Sequence, residues 1–188
     1  MRYQEYIKDA ADILNQLIKE DIADFIEIVS LKKNEVILSQ GDICKYYYFV
    51  KKGILRSYFI KNGKEITTNF TFANDVSTIY NSAVSQIPSE EYIHAITPCD
   101  VYKIRIADFN KLKKQLLSLS ELENIFISSY VLQLEERLFM MQSRSASERY
   151  LNLMAEQPQY IMKIPLKYIA SYLGITLETL SRIRAEVK

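Results

Sequence analysis

Residues 165–184 leave little choice of local structure: two short helices around a tight turn. Pro165 suits the first position of a helix, where its missing N–H leaves no donor unpaired. Leu166, Ile169, Ala170 and Leu173 then form one apolar stripe. Gly174 stands where the chain must turn sharply, and glycine tolerates the positive φ that such turns need. Thr176 is a good N-cap for the second helix, and Glu178 falls in its positive first turn. Leu180 and Ile183 face inward, while Glu178, Ser181 and Arg182 share the opposite face at spacings of three and four. Ala170, four residues before Gly174, lets the two helices pack closely.

This is the pattern of a helix-turn-helix whose second helix enters the DNA major groove. Two ordinary amphipathic helices closing a core would show the same apolar positions, so the polar ones decide. Arg182 can make a bidentate contact to guanine, and Glu178 can accept from cytosine. Thr176, Thr179, Ser181 and Lys167 complete the candidate DNA-binding set. Charge agrees with this reading. From residue 144 to 188 there are seven Lys/Arg and four Asp/Glu, a net of +3, whereas the whole chain carries only +1. The putative DNA-binding end is the basic end, as phosphate neutralisation requires.

With 188 residues the chain has room for one or two domains and a substantial core. No apolar run approaches a membrane span, and the opening residues 1–6 read as the start of an acidic amphipathic helix and not as a signal peptide. Cys44 and Cys99 lie far apart and form no metal motif. Two thiols cannot hold an iron–sulfur cluster, and His94 is the sole histidine. The expected compartment is the cytoplasm, with reduced thiols. One histidine also argues against an enzyme of the cupin type, whose metal site in a small barrel needs several; no catalytic residues are expected.

Residues 3–27 show helical periodicity, with Ile7, Ala11, Leu14, Ile18, Ile22 and Phe25 near one stripe. From Val29 to Ile106 the pattern changes to short strands. Residues 36–38 lead into the turn Gln40-Gly41-Asp42; residues 46–50 are rich in strand formers and end at Lys51-Lys52-Gly53. Asn62-Gly63 separates residues 54–60 from residues 65–72, where Ile66, Thr68, Phe70 and Phe72 alternate with polar residues. That is a two-residue hairpin signature. Residues 92–96 and 101–105 look like a closing pair of strands joined at 97–100. So many short strands predict a jelly-roll-like antiparallel β-barrel, giving an α+β chain with flanking helices.

A long helical stretch begins near Asp108, its main part at residues 120–142. Leu119, Leu122, Phe126, Ser129, Gln133, Glu136 and Met140 give one heptad seam. Leu122, Ile125, Ser129, Leu132, Glu136 and Phe139 give another. Two adjacent stripes ask for two partners, the barrel and a second copy of the helix, hence a parallel homodimer suited to paired half-sites. Ser145-Ala146-Ser147-Glu148 is a capping box that starts a new helix, which makes residues 142–145 the hinge. The predicted organisation is a sensor domain over 1–117, a dimerisation helix and hinge over 118–143, and a helix-turn-helix domain over 144–188.

The order of these parts resembles the Crp/Fnr family of bacterial transcription regulators, from about Ile18 onward. The resemblance is anchored at Gln40-Gly41-Asp42, Tyr48-Phe49-Val50-Lys51-Lys52-Gly53, Gly63-Lys64-Glu65 and, most diagnostically, residues 174–182. It implies that Glu178, Ser181 and Arg182 read an operator and that Thr176 touches phosphate. It implies double-stranded DNA, a second copy of the chain and RNA polymerase as partners, and a small-molecule effector in the barrel. Family members that bind cyclic AMP use a Gly-Glu pair and a later Arg. Here Thr78 and Ile79 stand at the pair and Ser89 near the Arg, followed by Glu90 and Glu91. These three positions mark the candidate effector pocket, but a cyclic phosphate needs a cation and free donors. Cyclic AMP is therefore not expected, and the cysteine cluster of the oxygen-sensing branch is absent. Many relatives continue past the recognition helix into a β-hairpin wing; this sequence stops at Lys188, so wing contacts to the DNA backbone are expected to be missing. The alternative is a sensor or interaction protein with the same barrel and weak or lost DNA binding.

Overall fold

A computed structural model of the chain describes residues 2–187, with side chains for residues 10–19 and 21–187. Met1, Lys188 and the Ile7 side chain, which enter the expectations above, lie outside that description. Helix α1 (Arg2–Glu20) leads through a 3-10 turn (Ala23–Phe25) into strands β1 (Glu27–Leu31), β2 (Val36–Leu38), β3 (Tyr46–Lys52), β4 (Leu55–Lys61), β5 (Lys64–Thr71) and β6 (Val76–Ser77). Helix α2 (Tyr80–Ser85) precedes β7 (Tyr92–Ala95) and β8 (Cys99–Arg105). The rest is helical: α3 (Ile106–Leu112), α4 (Leu117–Ser143), α5 (Ala146–Glu156), α6 (Pro158–Lys163), α7 (Leu166–Tyr172) and α8 (Leu177–Glu186).

The strands form two four-stranded antiparallel sheets, ordered β1-β8-β3-β6 and β2-β7-β4-β5, in a jelly-roll-like arrangement. Asn62 and Gly63 turn β4 into β5 with φ of 51° and 72°, the double positive φ of a type I′ turn. The predicted closing pair is not a pair. β7 bonds to β2 and β4, β8 to β1 and β3, so residues 97–100 form a corner between sheets. The alternation expected along β5 also breaks. Ser57 opposes Asn69 but Tyr58 opposes Thr67, which leaves Thr68 as the extra residue of a bulge.

Three apolar clusters hold these parts together. Leu31, Leu38, Val50, Leu55, Ile93 and Val101 fill the space between the sheets. Phe49 and Ile104, on the outer face of the first sheet, meet Leu14, Leu17, Leu122 and Phe126 from α1 and α4. The α1 stripe runs through Ala10, Leu14 and Leu17; Ile18 is only half-buried and Phe25 is exposed, because the helix ends at Glu20 and the following turn changes direction. The third cluster joins α5–α8 to the second sheet through Ile54, Phe70 and Ile96.

The expected long helix is two helices, with a break over residues 113–116. On α4, about 40 Å long by its 27 residues, Leu119, Leu122, Phe126 and Ser129 are buried against the sheet. Both predicted seams begin in this barrel-facing stripe, but Leu132 and Phe139 of the second are 42% and 59% exposed. The free seam is the face of Val131, Leu132, Leu134, Leu138 and Phe139, 42–59% exposed, whereas Ile127 is half-buried and Met141 lies against the Gly174 turn. Among the described residues no helix is long and apolar enough to cross a membrane.

Candidate nucleic-acid interface and effector cavity

The helix-turn-helix is built as its residues dictate. Pro165 sits one place earlier than expected, as the N-cap of α7 rather than its first turn residue. Ile169, Leu173, Leu180 and Ile183 pack inward. Gly174 takes φ +68°, which a side chain would strain, and a Cβ there would come within 2.9 Å of the movable Met141 methyl. Thr176 caps α8 by accepting from Thr179 N–H at 3.1 Å.

Thr176, Glu178, Ser181, Arg182 and Lys167 are exposed; Thr179 is half-buried, its hydroxyl 3.1 Å from that of Thr176. Glu178 titrates below the usual carboxylate range. Its own backbone N–H at the helix start does most of this, then the Thr176 hydroxyl, with Lys64 of the β4–β5 hairpin adding to it. The reading face is thus a fixed anion beside an arginine on one open helix surface. Among the described residues no cluster of His, Cys, Asp or Glu has a metal-binding arrangement, and both cysteines are buried free thiols.

The sequence reading missed that α7 is buried on two sides. Its inner stripe meets α8; Tyr168 and Tyr172 meet the second sheet. Thr67 N–H donates to Ser171 Oγ at 2.9 Å, and that hydroxyl donates to Glu65 C=O at 3.0 Å. Beneath Tyr168 lies Arg56, fully buried and sandwiched between the rings of Tyr58 at 4.4 Å and Tyr168 at 3.9 Å. Its guanidinium donates to Thr67 Oγ1 at 2.9 Å and pairs with Glu65 at 2.6 Å. His94 is buried, with Nε2 3.4 Å from Arg56 and its ring edge-on to Tyr168. The signal was present: Tyr168 and Tyr172 are a second i,i+4 pair, aromatic, on the side of α7 away from Leu173.

Between β5, α4 and α7 lies a cavity of about 300 Å³. Thr78 and Ile79 line it, but Ser89 does not. Ser89 is buried nearby and occupied: its hydroxyl donates to Glu91 C=O and accepts from Glu91 N–H, and its backbone bonds Gly41 and Asp42. Glu91 reaches the cavity instead, one carboxylate oxygen accepting from Thr68 Oγ1; Glu90 is exposed. Burial pushes the Glu91 carboxyl up, against the Thr68 bond and the nearby Arg137 charge. Arg137, from α4, spends its donors on backbone: Thr68 C=O, Thr67 C=O at 3.2 Å and Tyr172 C=O at 3.4 Å, with its guanidinium 4.4 Å over the Tyr172 ring. A cyclic phosphate here would meet the carboxylate of Glu91, and three of the five Arg137 donors are already on backbone carbonyls.

Residues 28–115 match the cyclic nucleotide-binding domain family. The chain is 27% identical over 167 residues to the nitrogen fixation regulation protein FixK of Bradyrhizobium diazoefficiens, covering 82% of this chain and 68% of that one. It is 26% identical over 167 residues to an anaerobic regulatory protein of Haemophilus influenzae, covering 81% of this chain but spanning only 63% of that relative's length. Among solved structures, FixK2 from Bradyrhizobium japonicum superposes with a TM-score of 0.74 at 21% identity, over 86% of this chain and 84% of that one. A mutant of CooA from Carboxydothermus hydrogenoformans does so with 0.72 at 18% identity, over 93% and 83%.

Proposed function

We propose that the chain is a Crp/Fnr-type transcription regulator, a sequence-specific DNA-binding protein acting as a homodimer on a palindromic operator, as its similarity to FNR- and FixK-type regulators supports. The observation that carries this is the open face of α8, where Glu178, Ser181 and Arg182 stand free while Leu180 and Ile183 anchor the helix. The free α4 seam supplies the two-fold partner. Two copies would place their α8 helices about 34 Å apart, in successive major grooves. Arg182 reads guanine and Glu178 cytosine, while Thr176, Thr179 and Lys167 hold phosphate or flank it. Control comes from a small molecule in the α4 cavity, not from cyclic AMP or an iron–sulfur cluster.

Selection from randomised DNA tests the reading. The recovered sites should be inverted repeats with a G·C pair in each half-site. Arg182→Ala should cost about 1–3 kcal/mol per contact and relax preference at that pair alone. Sites without two-fold symmetry, or an unchanged preference in the variant, would refute the assignment; recovery of no sequence at all would favour a sensor that has lost DNA binding.

A further inference from the structure

Resting on the regulator reading above, the geometry points to the α4 cavity as a site for a small zwitterion, an amino acid with a large apolar side chain. Two opposite charges face this space from different walls, Glu91 from the sheet side and Arg137 from α4. They lie near enough to influence each other yet do not form an ion pair among the described residues. Glu91 uses one oxygen on Thr68, and the other takes no donor among the described residues. Arg137 has five N–H donors, of which three reach backbone carbonyls.

A ligand of one sign would satisfy one of these groups and press its like charge against the other. In a part-buried site that is costly. An ammonium on Glu91 and a carboxylate on the remaining Arg137 donors, Nε–H and one Nη1–H, satisfy both at once. The ammonium would also offset what burial costs the Glu91 carboxylate. At about 300 Å³ the space is at the small end of ligand sites. It adjoins a tighter pocket of about 70 Å³ that shares Asn69, Thr78 and Tyr130 and is walled by Phe49 and Phe126. That neighbour fits an apolar side chain. Tyr172 of α7 lines the same cavity and its carbonyl is held by Arg137. An occupant therefore touches the helix-turn-helix directly, and its binding is linked to the position of that unit.

Calorimetry on the full chain without DNA tests this with four probes: L-phenylalanine, L-leucine, 3-phenylpropionate and phenethylamine. L-phenylalanine or L-leucine should bind saturably, with affinity at least about tenfold above either single-charge analogue. Glu91→Gln, which keeps an acceptor for Thr68, should weaken the amino acid by at least about tenfold while its thermal unfolding stays cooperative. Absence of saturable heat at millimolar amino acid, equal or tighter binding of a single-charge analogue, or unchanged affinity in a folded Glu91→Gln protein would each overturn the site. No DNA enters the measurement, so such a result would leave the operator reading standing, and a failed DNA selection would leave this one standing.

Discussion

Acidification should loosen the contact between α7 and the second sheet, and His94 sets the size of the effect. The imidazole is buried against Arg56 of β4, with Glu65 of β5 and Lys167 and Tyr168 of α7 around it. Burial, then the Arg56 charge, then Lys167 lower its pKa to about 4 from 6.5, with only Glu65 pulling the other way. A histidine lowered on folding binds fewer protons than its unfolded counterpart. The stability it permits is intact above pH 6.5 and falls as pH drops from there to about 4. With those two values the loss at pH 5, relative to pH 8, is about 2 kcal/mol. Arg56 adds to the strain, because its Nη2 is buried without a partner among the described residues. Urea unfolding of the wild type and His94→Gln at pH 8, 6 and 5 measures the term. The wild type should lose about 2 kcal/mol more than the variant over that span. Carboxylates such as Glu91, raised by burial, titrate in both proteins and cancel in the difference. Parallel stability curves for the two proteins would refute the buried neutral histidine, and with it the docked contact.

Other outcomes follow from the two faces of α4 and from the α8 cap. Leu138→Glu, on the free seam, should yield monomers by light scattering with an unfolding midpoint close to wild type, whereas Leu122→Ala, fully buried on the sheet, should cost about 2–5 kcal/mol of stability; a dimeric Leu138→Glu protein would exclude that seam. Thr176→Ala should cost about 1 kcal/mol through the lost cap, and in gel shifts it should weaken all DNA sequences alike, a selective loss arguing against a phosphate contact.

The parts of the fold governed by local chemistry were legible in the residues. Asn62-Gly63 gave its hairpin, Ser145 and Glu148 their capping box, and Gly174 with Thr176 the turn and cap of the helix-turn-helix. What the residues hid is set by packing across distance. The α4 seam was half legible: Leu132 and Phe139 are exposed, but Leu119, Leu122 and Phe126 look the same in the sequence, and only the sheet's position shows that they are already spent. The cavity's charged residues were half legible. Glu91 stood out as an acid near the family's anion site, but Ser89 beside it turns into the Gly41 turn, and the Thr68 bulge that brings β5 to Arg137 has no signature in an alternating strand.

The two-sided burial of α7 bears on how such a regulator can be controlled. Docking on the sheet occupies Tyr168, Ser171 and Tyr172 but leaves Glu178, Ser181 and Arg182 open. The contact therefore does not mask the reading face. It fixes where that face stands relative to α4, through Arg137 on the Tyr172 carbonyl and Met141 against Gly174. In a dimer built on the α4 seam, the distance between two reading faces follows from that fixed placement. Specific binding needs the two faces at one spacing, while a single face can still meet phosphate at any. A ligand that shifts α7 by even a small amount would thus change affinity for the paired site far more than affinity for DNA in general. On the proposed reading, the helix that carries no base-reading residue is the one through which a ligand would control reading.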